Sequence, residues 1–269
     1  MARDEAREAE IEEAAERTLR DHGVRALPVD PVTVARAKGL AVESLPLSDR
    51  MLGFILQYDG GRFAIGYNAR LESHGLKQFT LAHELGHYCL DGHALALIRN
   101  GVGLYTCSVE PAGGDPVERE ADGFASDLLM PKAWFRAAAA GYPVGKVGVQ
   151  RMAELCRTSF TATGNRYARL SPEFCIAIRS FGTTVHYGFL SETARDLFPS
   201  SNSRYMKDRP VPANSLTHAL NTHAPVVIPI EGGQGLLTDW LPEAPRLRVR
   251  EEVQSLGRFG TMTVLTIPD

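Results

Sequence analysis

The chain of 269 residues is 44% hydrophobic and 23% charged, the composition of a water-soluble globular protein with one large domain or a few small ones. Its formal net charge of -3 excludes a strongly basic protein that would bind nucleic acid or anionic membranes through its overall charge. The four cysteines are widely spaced, which predicts reduced thiols, and no segment has the apolar length of a signal peptide or a membrane span. We therefore expect a cytoplasmic protein with no membrane partner.

The first part of the chain predicts a docking helix followed by a small sheet. Residues 5–21 favour a mostly polar helix with one apolar stripe. Residues 53–58 and 62–67 are typical of two antiparallel strands. Asp59-Gly60 lies between them and tolerates the positive φ that a tight hairpin turn requires. A sheet therefore precedes the next helix.

That next helix, predicted over residues 73–90, contains a His-Glu-x-x-His motif formed by His83, Glu84 and His87. Residues four apart lie on one face of a helix, so the two imidazoles can bind one divalent ion. Glu84 would lie beside the open coordination position, where a carboxylate can accept a proton from the attacking water. The neighbours are apolar, and a buried helix rarely carries such polar groups without partners. The motif thus predicts the core of a zinc peptidase.

Two residues compete for the place of the third protein ligand. His93 follows His83 by the ten residues of the metzincin pattern, but Leu90 stands where that pattern requires glycine. Glu118 lies in the first turn of a further predicted helix, with Asp122 on the same face. There Glu118 could complete a His-His-Glu site, and Asp122 could accept the free ring N–H of a ligating histidine. A carboxylate at this position could equally be a solvent-facing helix cap.

The intervening residues 94–114 are rich in turn-forming residues and predict a loop at the mouth of the site.

Two segments together resemble the ImmA/IrrE family of bacterial metallopeptidases. They are residues 78–87, QFTLAHELGH, and residues 118–131, EREADGFASDLLMP. The resemblance implies that Glu118 is the third zinc ligand and that residues 1–131 form a zincin-like metallopeptidase domain. Zinc is the implied cofactor, with manganese as an alternative.

The resemblance extends more weakly to the rest of the chain. Residues 132–171 have helix-turn-helix spacing and resemble the small helical domain of IrrE-like proteins. Residues 172–269 resemble a C-terminal GAF-like sensor domain of α/β type, with strands predicted at 226–230 and 262–267. The expected fold class is therefore α+β, with three domains in this order.

By the same resemblance, the protein is expected to be an endopeptidase that cleaves a helix-turn-helix transcriptional repressor and so induces a stress response. Glu84 would act as the base, and Tyr67, His93 and Tyr105 are candidates for stabilising the oxyanion. The strand at residues 63–67 is the candidate edge that would hold an extended substrate by strand addition.

A competing interpretation is a DNA-binding transcriptional regulator whose metal site is only structural. Basic residues exceed acidic ones over residues 146–170, as phosphate contacts would require. The presence of Glu84 disfavours this interpretation, because a structural site has no use for a base, and direct DNA binding is not our expectation. In the C-terminal region, His186, His218 and His223 are expected to be scattered surface histidines of a ligand-gated sensor.

Overall fold

The computed structural model describes residues 2–58, 61–94, 103–108, 115–198, 206–222 and 232–268. The chain divides into two compact units, one formed by Met1–Phe135 with Glu154–Ser159 and the other by Arg136–Ala153 with Phe160–Asp269. Helices and two sheets are both present, which confirms the α+β class. The three-domain division at 1–131, 132–171 and 172–269 stays a prediction.

The first unit combines a four-stranded sheet with helices. Its helices are α1 (Ala2–Asp21), α2 (Pro31–Ala37), α3 (His74–Cys89) and α4 (Pro116–Leu129), and its strands are β1 (Ala41–Leu45), β2 (Met51–Tyr58), β3 (Arg62–Asn68) and β4 (Leu104–Ser108). The predicted apolar stripe of α1 is buried, and this helix packs against α4. Ser73 and Asp115 begin α3 and α4, because each side chain accepts a backbone N–H of the first turn.

The order of strands in this sheet is β1-β3-β2-β4. β3 pairs with β1 on one side and with β2 on the other. The prediction that residues 63–67 form a substrate-binding edge is therefore wrong, because both sides of this strand already have hydrogen-bonded neighbours. Among the described residues, β4 is an edge strand, and it is paired with β2.

A close approach between α3 and α4 brings the motif helix against its neighbour. Gly86 permits it, because a Cβ at this position would lie 3.2 Å from the Cβ of Phe124 and 3.3 Å from the Cα of Ala121. The opposite side of α3 packs on β2 and β3, and Leu81 and Leu85 are fully buried. The motif is thus held in the interior of the unit.

The second unit is built on a five-stranded antiparallel sheet in the order β6-β5-β9-β8-β7. Its elements are α7 (Phe160–Leu170), β5 (Cys175–Phe181), β6 (Thr184–Leu190), α8 (Glu192–Arg195), α9 (Leu216–Asn221), β7 (Gly233–Leu236), α10 (Leu237–Trp240), β8 (Arg248–Ser255), a 3₁₀ turn (Gly257–Phe259) and β9 (Thr261–Thr266). Ile176, Ile178 and Trp240 belong to its apolar core. Two further helices, α5 (Lys132–Ala139) and α6 (Lys146–Cys156), contain residues of both units.

One buried carboxylate anchors α9 to this sheet. Glu251 of β8 is 4% exposed. Its oxygens accept hydrogen bonds from the backbone N–H of Leu216 at 3.1 Å and of Thr217 at 2.8 Å, and from the Thr217 hydroxyl at 2.6 Å. The first two N–H groups of α9 thus donate to Glu251, and the next, that of His218, donates to the Ser215 hydroxyl, so both the helix end and the carboxylate have partners.

Several predicted elements correspond to observed ones. The hairpin strands are β2 and β3, and the helix-turn-helix spacing corresponds to α6 and α7 on either side of Arg157, whose φ is 56°. The helix-turn-helix-like and GAF-like identities stay predictions. The turn at Asp59-Gly60, the strand at 226–230, His223 and most of the loop at 94–114 lie outside the described residues.

No helix in the described parts of the chain combines the length and the apolar character that crossing a membrane requires. Among the described residues, no disulfide bond joins any of the four cysteines.

Candidate metal centre

Helices α3 and α4 bring His83, His87 and Glu118 together. The Nε2 atoms of the two histidines are 3.0 Å apart. The Glu118 carboxylate lies 3.3 Å from Nε2 of His83 and 3.4 Å from Nε2 of His87. The two histidines are one turn apart on α3. Because α4 packs closely against α3, its residue Glu118 lies beside them. The three residues predicted as metal ligands therefore converge on one point.

The separations of these donor atoms suit a small divalent ion. Four ligands at about 2.1 Å in a tetrahedron are roughly 3.4 Å from one another, close to the observed spacing. Two imidazoles with one carboxylate are a usual donor set for zinc. The residues present therefore fit a zinc-type ion, and the chain offers a fourth position to a water or a substrate.

Asp122, the residue predicted to accept the free ring N–H of a ligating histidine, contacts His83. Its Oδ1 lies 2.9 Å from Nδ1 of His83, which directs Nε2 towards Glu118. Burial opposes a charge on His83, but hydrogen bonds to Asp122 and Glu118 outweigh it and raise the pKa of the ring to about 10. The carboxylates around His83 thus favour a positive charge at this point, which a bound cation would supply.

His87 lies in a different environment. It is fully buried, and burial lowers the pKa of its ring. The ring is therefore neutral, which is the form that binds metals.

Tyr105 of β4 donates a hydrogen bond from its hydroxyl to Oε1 of Glu118 at 2.5 Å, and its ring packs edge-on against His87 at 5.6 Å between centroids. Burial and the neighbouring Glu118 raise the pKa of the Tyr105 hydroxyl, so it stays protonated and able to donate.

Glu84 lies on the interior side of the same helix turn. It is 0% exposed, and neither carboxylate oxygen has a hydrogen-bond partner among the described residues. Burial raises the pKa of Glu84 to about 7, in the range that suits a group which accepts and returns a proton. Such a bare carboxylate is costly to bury, which points to a partner that arrives with a ligand or substrate.

Two residues of the sheet shape the space around Glu84. Gly53 of β2 leaves room for it, because a Cβ at Gly53 would lie 2.8 Å from Oε1 of Glu84 and 2.4 Å from Cγ2 of Thr80. The thiol of Cys107 on β4 lies within 4.8 Å of ligand atoms of Glu84 and His83. Burial and the interaction with the Glu84 carboxylate raise the pKa of this thiol, so it stays protonated beside Glu84.

The remaining candidates divide by position. His93 does not belong to the converging group, since its ring contacts His87 from behind. Tyr67 lies near Lys77, whose Nζ is 5.9 Å from the ring centroid, and Tyr88 packs edge-on against Phe63. Among the described residues, neither His186 nor His218 belongs to a group that could hold a metal.

Sequence reasoning missed Gly53 and Cys107, because both reach the site from strands distant in the chain. The β2–β4 register places them opposite each other. No local motif marks either residue.

Comparisons with known proteins agree with this geometry. Residues 35–167 match the family model of the peptidase M78 group, described as the IrrE N-terminal-like domain. A solved structure, a Mycobacterium tuberculosis transcriptional regulator, is similar at 12% identity and a TM-score of 0.51 over 96% of this chain and 74% of that one. At this identity the likeness concerns the fold alone. No curated protein sequence matches the chain.

Proposed function

Because residues 35–167 belong to the IrrE N-terminal-like domain of peptidase family M78, we propose that this protein is a metal-dependent endopeptidase with a His-His-Glu site of gluzincin type. The observation that carries the proposal is Glu84, fully buried beside three converging donors and without a hydrogen-bond partner in the described part of the chain. A purely structural metal site would not need it. We assign the ligands as His83, His87 and Glu118, with zinc as the working ion and manganese as the alternative.

In the proposed reaction each residue has a separate task. His83, His87 and Glu118 would hold a divalent ion, whose Lewis acidity would polarise the scissile carbonyl and acidify a water. Glu84 accepts a proton from the attacking water and returns it to the leaving nitrogen. Tyr105 donates its one O–H to Glu118 in this structure, and it is our candidate for the oxyanion donor if that O–H turns from Glu118 to the oxyanion during the reaction.

The edge strand β4 is the surface we propose for holding an extended substrate. It carries Tyr105 and Cys107 beside the site, and its described neighbour is β2 alone. A peptide added to this edge would run past the donors, with its backbone fixed by hydrogen bonds. Cleavage would then require an accessible, extended segment in the target.

We further propose that the target is a helix-turn-helix transcriptional repressor and that cleavage induces a stress response. The similarity to the IrrE N-terminal-like domain supports this target. The second unit, with its five-stranded sheet, is the proposed GAF-like sensor that would gate the peptidase.

A DNA-binding regulator remains the competing function, and the similar structure from Mycobacterium tuberculosis is that of a transcriptional regulator. Three of the five basic residues in segment 146–170 have contacts or burial within the second unit, which weakens this alternative. Lys146 donates to the carbonyl of Val253 at 2.9 Å, Arg166 is buried, and Arg169 lies over the ring of Phe189 at 4.3 Å. These three side chains are engaged within the second unit.

The test is a cleavage assay with the purified full chain, zinc or manganese, and the helix-turn-helix repressor encoded nearest its gene. We expect one defined cut by intact-mass spectrometry, lost in Glu118→Ala and reduced about 10²- to 10⁴-fold in Glu84→Gln, which keeps the metal. No cut with either metal, together with tight salt-sensitive DNA binding, would replace the peptidase by the regulator.

A further inference from the structure

A row of four side chains, His87, His93, Glu120 and Arg7, connects the candidate metal centre with the N-terminal helix α1. Nδ1 of His93 lies 3.3 Å from Nδ1 of His87, and Nε2 of His93 lies 3.0 Å from Oε2 of Glu120. The same Glu120 oxygen accepts from Arg7 of α1, from Nε at 3.0 Å and from Nη2 at 2.5 Å. His93 is 4% exposed, so its ring is shielded from water, whereas the Arg7–Glu120 pair is partly exposed.

If His87 binds a metal through Nε2, the contacts of this row assign each ring proton. Nε2 of His87 faces His83 and Glu118, so it must carry the lone pair if it is a ligand, and its ring proton is on Nδ1. That proton can be donated only to an unprotonated Nδ1 of His93. His93 is then protonated on Nε2 and donates to the Glu120 carboxylate, which Arg7 holds from the other side.

The two ligating histidines thus reach a carboxylate in different ways. His83 contacts Asp122 directly, whereas His87 reaches Glu120 through a second imidazole. A neutral acceptor interposed in this way still fixes the tautomer and the plane of the ligand ring. Since α1 provides Arg7, the row also connects metal binding to the N-terminal helix.

We propose that His93 is a positioning residue that fixes His87 for metal binding, supported by Glu120 and by Arg7 of α1. This inference rests on the proposed metal site and gives His93 a role other than that of a ligand. The atom of His93 that performs this role is Nδ1, which accepts the hydrogen bond from Nδ1–H of His87. The loss of this acceptor frees His87 to rotate or to take the other tautomer.

The test uses three side chains of similar branching at position 93. In His93→Asn the amide Oδ1 takes the place of Nδ1 as acceptor, whereas His93→Leu has the same branching and no acceptor. We expect His93→Leu to weaken zinc affinity by about 10- to 100-fold, the range typical of outer contacts to a ligand, and His93→Asn to remain close to wild type. Affinity is measured on the full chain by competition with a chromogenic zinc chelator.

A spectroscopic readout separates positioning from general destabilisation. The visible absorption of the cobalt-substituted protein reports ligand geometry, so it should change in His93→Leu and be preserved in His93→Asn. Thermal unfolding of the metal-free variants checks the fold. If His93→Leu does not fold, Glu120→Leu takes its place, because leucine cannot accept the Nε2 proton that fixes the tautomer of His93. Unchanged zinc affinity in that variant overturns the proposal.

The contribution of α1 is tested by Arg7→Gln, with Arg20→Gln as its matched control on the same helix. Arg20 pairs with Glu13 and does not contact this row. Arg7 is partly exposed, so its loss should weaken zinc binding only about 2- to 5-fold, and the control should leave it unchanged.

The outcomes distinguish this inference from the proposed function. Wild-type affinity and cobalt spectrum in His93→Leu would overturn the positioning role while leaving the peptidase intact. Tight zinc binding that depends on His93, in a chain that cleaves no repressor, would support the positioning role and contradict the peptidase. A wild-type chain that binds neither zinc nor cobalt would overturn both.

Discussion

Two buried glutamates, one in each unit, have opposite hydrogen-bonding environments. Glu251 in the sheet of the second unit accepts three hydrogen bonds from the start of α9. Glu84 in α3 of the first unit is equally buried, and its oxygens have no hydrogen-bond partner among the described residues. Burial alone therefore does not identify a functional residue. A satisfied carboxylate stabilises the fold, and a bare one marks a place where a ligand completes the structure.

The largest effect we expect comes from making the same change at both positions. Glu251→Leu leaves three donors at the start of α9 without this acceptor and should cost about 3 to 5 kcal/mol in free energy of unfolding. Glu84→Leu removes a buried carboxylate that accepts no hydrogen bond from the described residues. Stability without metal should therefore stay within about 1 kcal/mol of wild type or increase.

Urea unfolding of the metal-free protein checks this, since the two tryptophans lie in different units. In a Trp134→Phe background, the fluorescence of Trp240 reports on the second unit. In a Trp240→Phe background, the fluorescence of Trp134 reports on the first. Equal losses at positions 84 and 251 would end the distinction between the two carboxylates.

The next effect concerns the room that Glu84 occupies. In Gly53→Ala the added methyl group would clash with Thr80, with Glu84 and with the backbone carbonyl of Gly66 on β3, so the carboxylate and the strand must shift. Because a misplacement of about 1 Å can cost about 10²-fold, we expect kcat to fall by 10- to 100-fold while zinc affinity is kept.

Gly123→Ala in α4 is the matched control. Its Cβ would meet Ile11 at an ordinary 3.6 Å, and alanine favours a helix. Full activity in Gly53→Ala would mean that Glu84 does not need its observed position.

The smallest effect is expected from removing the hydrogen bond that Tyr105 donates to Glu118. Glu118 is intermediate between Glu251 and Glu84, because it accepts one hydrogen bond and still faces the metal position. Tyr105→Phe should weaken zinc binding by roughly 5- to 10-fold, equivalent to about 1 kcal/mol for a lost hydrogen bond. Tyr88→Phe, whose ring packs on Phe63, is the control. Unchanged affinity with a large fall in kcat would instead assign Tyr105 to the oxyanion alone.

The grouping of His83, His87 and Glu118 could be predicted from sequence, although only the two histidines follow from local spacing. His83 and His87 are one helical turn apart, and Glu118 stands in a segment whose pattern resembles a known family. The alternative between Glu118 and His93 could not be settled from spacing alone. His93 has the spacing of a ligand, but the chain turns after α3 and places its ring behind His87.

Strand order is where sequence reasoning was wrong. The hairpin of β2 and β3 was predicted, but a parallel pairing of β1 on the far side of β3 makes β3 internal. Parallel pairing joins segments that are not consecutive in the chain, so no turn motif marks it. The edge beside the site is β4, which joins β2 after α3 has been completed.

The sequence by itself determined the helices, their caps and the chemistry of the donors, because these depend on residues within a few positions of one another. Tertiary structure alone decided which carboxylate is satisfied, as Glu251 is and Glu84 is not among the described residues. It also joined His87 to Arg7 of α1 through His93 and Glu120. The physical reason is that hydrogen bonds between distant segments depend on packing distances, and those are set only when helices and strands assemble into one core.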